Sequence, residues 1–516
     1  MAFAVHRSHL SEAHVTTIRE RLIFTPEVTN FARGRFSREN PPESEPVIFY
    51  QKDANDMIHI PYLFAAALFG IIPNQRSAFN RTTLTFTGKL RPEQIALEVE
   101  ANNQLINRGT STLGLYPGAG KTILGASLAA RLKLLTVVLV HRGILTTQWA
   151  KTFSDFTSGG DSSGKGDSSG RGDSSGRGDS SGKGNSSGMG KAEFNKGHHR
   201  SVSIWIVGEQ NMPHPETIDV IICMDTRWSQ VPEFLRSAVG FMIIDEAHTF
   251  CTPSHVSCLL AWHPLYILAE TATLERDDGM HGMIQSIVGT HGVWRESQKA
   301  FSIYKVNTQT KPIRTMNKMG TVDWSALVST TLLNTRRNEI IATLVLGNPT
   351  FTILILTSLV DHAHQLMAGL TSLGVDCDVM CGSKKTYRDC RVLIGTTSKI
   401  GTGFDQATAC PDYSGRRFDM LLLVCSIKKY SMLVQNVGRA FRADYPTIMH
   451  FVDNDDIYKR HWNLAKKWYL ARGGKLEEIS FPHDLPPLVP AQQPIQINLV
   501  ASQIQPQIQI ITNIGK

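Results

Sequence analysis

Two short stretches carry residues whose types and order could do chemistry together. The first is Gly118-Ala119-Gly120-Lys121-Thr122, set between an apolar run, STLGLY (111–116), and an Ala/Leu-rich stretch, ILGASLAARL (123–132). Glycines at such a strand-to-helix turn let backbone N–H groups converge on phosphate oxygens. The helix N-terminus adds positive dipole, a lysine reaches the β- and γ-phosphates, and a threonine hydroxyl binds Mg²⁺. Leu115 stands where the strict pattern has a leading glycine, and Gly114 lies one residue upstream. The second stretch is FMIIDEAHTF (241–250), in which an apolar run stops at the adjacent carboxylates Asp245 and Glu246. Alone, such a pair is ordinarily the solvated end of a buried strand. Downstream of a phosphate loop it acquires two roles: Asp245 holds the Mg²⁺ that bridges the phosphates, and Glu246 orients and deprotonates the attacking water.

The elements that must position these residues are legible as short apolar runs. LLTVVLVH (134–141), SIWIVG (203–208), DVIICM (219–224) and GFMIID (240–245) alternate with helical segments. A second set follows at 351–358, 389–397, 418–426 and 447–453. Apolar strands separated by helices predict parallel sheets covered on both faces, hence an α/β protein with two such units in tandem. A length of 516 residues fits two or three domains with appendages.

Composition narrows the class. The chain carries 53 Lys+Arg against 45 Asp+Glu, a net charge of +8 that permits a polyanionic partner without requiring one. Its eight cysteines form no CxxC pair, which predicts reduced thiols and no structural zinc. The run YLFAAALFGII (62–72) is too short to span a bilayer, and the N-terminus shows no signal-peptide pattern; a soluble intracellular protein with no membrane partner is expected. Residues 159–191 repeat Gly, Ser and alternating charge and predict a disordered insertion, within which two Arg-Gly-Asp tripeptides arise from the repeat itself. The Pro/Gln-rich tail at 486–516 is expected to be disordered or to pair as an edge strand.

With GAGKT and DEAH in this order the chain resembles superfamily 2 nucleic-acid helicases and translocases, and further motifs follow in sequence. LRPEQ (90–94) is similar to the stretch that precedes the phosphate loop in the DNA-repair and transcription branch. VLVHRGILTTQW (138–149) resembles a backbone-contacting segment there, and IICMDTRW (221–228) sits where another lies. ETATLERDDG (270–279) resembles LSATPERxDG, departing at Glu270 and Leu274. In the second half ILILTSLVDHAHQL (353–366), IGTTSKIGTGFD (394–405) and QNVGRAFR (435–442) resemble motifs IV, V and VI; motif V departs at Thr402. The branch is that of large nucleocytoplasmic DNA virus helicases, poxvirus- and iridovirus-like, and VIFYQKDANDMIHIPYLFAAALFG (47–70) is similar to their N-terminal region.

The resemblance implies two tandem RecA-like domains. The expected organisation is an N-terminal accessory region (1–80), a first domain (81–300) with the repeat insertion at 158–191, a linker (301–325), a second domain (326–475) and the tail (476–516). It implies an ATP- and Mg²⁺-dependent motor. Gln94, Arg91, Pro117, Gly118, Ala119, Gly120, Lys121, Thr122, Gly403 and Asp405 would bind nucleotide, and Arg439 and Arg442 would complete the active site across the cleft. His248, Thr271, Thr273 and Gln435 would couple hydrolysis to domain motion; His141, Arg142, Gln148, Thr396 and Thr397 would contact nucleic acid. Trp149 and Trp228 read as core residues rather than base-stacking platforms, and the basic pairs at 336–337 and 416–417 as solvated surface.

The partner is DNA or RNA, with transcription or replication machinery beyond it. If viral, the protein belongs in host cytoplasm or nucleus, or packaged in the virion. A strand-separating helicase, a transcript-release translocase and the motor subunit of a restriction or nuclease assembly all fit. An ATPase acting on proteins is disfavoured by QNVGRAFR.

Overall fold

The computed structural model describes residues 1–27, 45–74, 79–116, 118–159, 200–272, 276, 278–296, 299–401, 404–481 and 509–511. The expected insertion therefore lies almost wholly outside the described residues, as do Pro117, Thr273, Gly403 and most of the tail.

The apolar runs form two sheets. In the first, seven strands lie in the order Ile204–Ile206, Val220–Met224, Thr136–Val140, Phe241–Ile244, Tyr266–Thr271, Thr110–Leu115 and Val293–Arg295. All six pairings are parallel. Successive side chains alternate between two cores, because a strand projects them to opposite faces. Val138, Val140, Phe241 and Ile243 meet the helices Pro92–Arg108, Lys121–Leu132 and Gly143–Phe156 on one face. Val137, Leu139, Met242 and Ile244 face the other way.

That second face is covered in part by the N-terminal region. Ala2–His6, Met57–Pro61 and Gln51–Lys52 pair as an antiparallel sheet, the helix Tyr62–Phe69 follows, and Ile60, Tyr62 and Ala65 enter the same core as the sheet residues. The Tyr62 hydroxyl donates to Leu265 O at 2.8 Å, just ahead of the strand Tyr266–Thr271. The region expected to be an accessory thus supplies one wall of the first core.

The second sheet runs Cys377–Met380, Val392–Thr396, Ile353–Thr357, Met420–Leu423, Thr447–Val452, Ser302–Asn307 and Lys475–Ser480, all parallel, with Gln509–Ile511 antiparallel at the edge. Two of its strands fall outside the expected second domain. Ser302–Asn307 lies in the stretch expected to be a linker, and Lys475–Ser480 runs into the expected tail. The basic pair at 336–337 is also corrected. Arg337 is buried, its Nε 2.9 Å from Asp453 Oδ1 and its Nη2 bonded to Val424 O; a buried guanidinium needs such a partner set. Arg416 and Arg417 are exposed, as expected.

The segment carrying the repeat leaves and re-enters the first unit at one place. Gly159 and Arg200 form an antiparallel bridge, with Gly159 N donating to Arg200 O at 2.9 Å. No helix among the described residues is long and apolar enough to cross a membrane.

Candidate active site

The strand Thr110–Leu115 delivers at its carboxyl end the loop expected to bind phosphate. Gly118 and Gly120 adopt φ of +88° and +89°, a left-handed backbone that disfavours side chains, and the helix Lys121–Leu132 begins immediately after. The loop is braced from behind: Ala119 O accepts from Gln94 Nε2 at 3.0 Å and from Arg91 Nη2 at 2.9 Å, while Gln94 Oε1 accepts from Arg91 N at 2.9 Å. Gln94 is buried and presses so closely on Gly120 that any Cβ there would collide with its amide. Lys121 Nζ donates to Leu115 O at 3.0 Å.

Two strands away, Phe241–Ile244 ends at the acids. Asp245 is buried, and its Oδ2 accepts from Trp149 Nε1 at 3.0 Å. Trp149 reaches it because Leu145, Trp149 and Phe153 recur every four residues on the sheet-facing side of the helix Gly143–Phe156. Burial and the adjacent Glu246 push the Asp245 carboxyl up to about 6, against the pull of the Trp149 bond and the Lys121 ammonium.

Glu246 takes a left-handed backbone, φ 49° and ψ 51°, which strains a residue with a side chain by about 1–3 kcal/mol. The kink turns the chain into the short turn Ala247–Phe250. Glu246 Oε2 is buried without a hydrogen bond among the described residues, 3.5 Å from His248 Nδ1.

Burial holds His248 below the ordinary histidine range, so its ring is neutral. Gln435 Nε2 lies 3.4 Å from His248 Nε2, and Thr271 Oγ1 lies 3.0 Å from Nδ1. One consistent arrangement follows: the Gln435 amide donates to Nε2, and Nδ1–H donates to Thr271. Gln435 belongs to the helix Tyr430–Val437 of the second unit, so this contact crosses the cleft.

The second unit also contributes both arginines. Arg442 Nη1 pairs with Asp405 Oδ1 at 3.0 Å, and its side chain lies over the phosphate loop, with Cγ 3.7 Å from where a Gly118 Cβ would be. Arg439 is turned into its own unit, donating to Phe404 O and Gly401 O, each at 2.8 Å. Burial and the neighbouring Arg442 depress its guanidinium to about 10, partly offset by Glu246 and Asp405.

The Gly118–Thr122 loop, a strand ending in two acids and Arg442 of the second unit thus converge on one cleft. Residues 71–276 match the family model described as "Type III restriction enzyme, res subunit". The chain is 28% identical over 443 residues to "Putative helicase 161L" of Invertebrate iridescent virus 6, covering 81% of this chain and 89% of that protein. It is 26% identical over 424 residues to "Putative helicase 055L" of Frog virus 3, covering 80% and 85%. These likenesses support a helicase of superfamily 2. Among solved structures, S. cerevisiae Dbp5 bound to RNA and ADP BeF3 aligns at 12% identity with a TM-score of 0.47, covering 75% of this chain and 94% of that one.

The residues expected to contact nucleic acid are less uniformly placed. Arg142 Nη1 donates to Ser398 O at 2.9 Å, a second contact across the cleft. His141 is half-buried with its ring edge-on to Phe250, and burial lowers it to about 4; Gln148 is half-buried. Thr396, at the end of its strand, and Thr397, which opens the helix Thr397–Ile400, are buried and present little surface to a ligand. Asp405 caps the helix Gln406–Ala409 besides pairing with Arg442. Trp228 is half-buried beneath Arg236. Trp149 is core as expected, but its indole N–H also holds an acid, which sequence reasoning missed. Its spacing with Leu145 and Phe153 identified the buried face, and nothing in the sequence identified the partner.

Proposed function

We propose that this protein is an ATP-dependent nucleic-acid motor in which the second unit completes a nucleotide site built on the first. The observation that carries the reading is the convergence of Lys121, Asp245 and Glu246 with Arg442, whose side chain lies over Gly118.

The acids fit a divalent cation. Lys121 is the cation that bears on Asp245, and Glu246 Oε2 is buried without a hydrogen-bond donor, so the donor set is short of positive charge. Thr122 and Asp245 would hold Mg²⁺, which when bound supplies charge neutralisation at the phosphate oxygens. Lys121 binds the β- and γ-phosphates; to do so its ammonium leaves Leu115 O. Glu246 accepts the proton of the attacking water, and its kinked backbone fixes where that carboxylate points. Arg442 stabilises charge on the γ-phosphate only while the cleft is closed. Arg439 bonds the carbonyls of Gly401 and Phe404 and faces Glu246 electrostatically. Gln435 and His248 carry the state of the site between the units.

The nucleic acid is gripped by its phosphates, since a motor must step over any sequence, and its binding weakens steeply with salt. The likeness to viral proteins supports a viral role in transcription, replication or repair. The family description also keeps a restriction-type motor in view. The test is ATP turnover by the purified chain with no polymer, single-stranded DNA, duplex DNA and RNA. Stimulation by at least one polymer is expected; turnover indifferent to all of them refutes the motor.

A further inference from the structure

Glu270 is an acid in the wrong place for a packed core. It lies on the strand Tyr266–Thr271, fully buried, and neither carboxylate oxygen has a hydrogen-bond partner among the described residues. That strand runs between the one that delivers the phosphate loop and the one that ends at Asp245: Glu270 pairs in register with Leu113, and Ala269 with Ile244. The side chain points beneath the phosphate helix. Its Oε1 is 2.7 Å from where a Cβ on Gly125 would stand, and the Trp149 ring is 2.8 Å from the same point. Gly125 is one helical turn past Lys121, and Trp149 is the residue that bonds Asp245. The charged groups that bear on Glu270 are Asp245, Lys121 and Glu246, all members of the proposed nucleotide site.

An unpartnered buried carboxyl is destabilising, and a leucine would fill the same space without that penalty. Burial and the nearby acids hold Glu270 well above the ordinary carboxylate range. A residue kept against stability, one layer under a site short of positive charge, points to a ligand that arrives with nucleotide. We infer that Glu270 is a positioning residue of the Mg²⁺–nucleotide site, orienting the hydration shell of the cation that Thr122 and Asp245 would hold. The inference rests on the nucleotide reading above. It accounts for Gly125, whose missing side chain makes room for the carboxyl, and for the departure at Glu270 from the motif that this strand resembles.

The test uses the full chain and its Glu270→Leu and Glu270→Gln variants, with ADP binding measured by titration calorimetry in Mg²⁺ and in EDTA, and melting followed without nucleotide. Glu270→Leu is expected to melt higher than the parent yet to bind ADP in Mg²⁺ about 10- to 100-fold more weakly, the usual effect of losing an outer partner of a metal site. Its affinity in EDTA should stay at the parental value. Glu270→Gln, which keeps the shape, should show the same selective loss in smaller degree, and it decides the matter if the leucine variant does not fold. Mg²⁺-supported affinity within twofold of the parent in a folded variant overturns the inference. The nucleotide reading fails separately, if the parent binds no ADP or if Lys121→Ala binds it as the parent does.

Discussion

Trp149→Phe isolates one hydrogen bond at the centre of the site. The substitution keeps an aromatic ring on the buried face but deletes the indole N–H that donates to Asp245 Oδ2 at 3.0 Å. A hydrogen bond to a charged group contributes about 1.5–3 kcal/mol. At 1.36 kcal/mol per pKa unit, its loss raises Asp245 by roughly one to two units. Asp245 stands at about 6 with the bond in place, so at pH 7 about nine-tenths of the parental residue is ionised, against roughly a half to a tenth in the variant. Protons and Mg²⁺ compete for this carboxylate, so the apparent Mg²⁺ affinity of ATP turnover at pH 7 should fall about two- to tenfold. The assay is turnover against Mg²⁺ concentration at saturating ATP, repeated from pH 6 to pH 9. At pH 9 both proteins are ionised and their curves should converge. Superposable curves at pH 7 would show that the bond does not set the charge of Asp245; a deficit undiminished at pH 9 would assign the effect to packing.

Glu246→Gln should bind ATP as the parent does and remain on nucleic acid in the closed state, and loss of ATP binding would remove the residue from its role on the water. Arg442→Ala should lose about 10³- to 10⁵-fold in stimulated turnover with fold and nucleotide binding retained; Arg439→Ala should also lower the melting temperature, because its guanidinium bonds two carbonyls of its own unit, and equal melting of the two variants would contradict this division. Excising 160–199 and joining the ends with a short turn should leave turnover within a few-fold, since Gly159 and Arg200 already pair and closure entropy varies slowly with loop length; a folded but inactive product would refute it. His362 and His450 are buried and held near 3 by desolvation. The unfolded chain therefore takes up protons below about pH 6.5 that the fold does not, and stability should fall by about 2 kcal/mol per histidine between neutrality and pH 5 in denaturant titrations; each of His362→Asn and His450→Asn should flatten that slope.

The parallel sheets were legible because their strands are apolar throughout, as burial on both faces requires. The strands missed in advance are of another kind. In Ser302–Asn307 and Lys475–Ser480 apolar residues are interspersed with Lys, Glu, Ser and Asn, a half-buried pattern suited to the sheet's margin. The placement of the Gly118–Thr122 loop and of Asp245 and Glu246 at strand ends was readable because an apolar run stops directly before each. Arg337 was misread because a basic pair resembles surface until Asp453, more than a hundred residues away, is brought against it. Trp149 and Asp245 are likewise joined only through the neighbouring strands Thr136–Val140 and Phe241–Ile244. Gln94 was expected to bind nucleotide; that its amide also buttresses the loop carbonyl could not be read in advance, because the contact depends on how Pro92–Arg108 packs beside Lys121–Leu132.

The cleft itself is held by modest contacts: Arg142 to the Ser398 carbonyl, Gln435 to His248, and Arg442 over Gly118. A neutral hydrogen bond contributes about 1 kcal/mol net, so these three contacts together supply only a few kcal/mol toward holding the two units closed rather than open. Moving such a pair of states from 1:99 to 99:1 takes about 5.5 kcal/mol of differential binding. In the proposed motor, a triphosphate gripped from both units and a polymer lying across both would each provide part of that difference. Together they can populate a closed state that either one alone reaches only in part, and hydrolysis, by removing one contribution, is enough to tip the balance back.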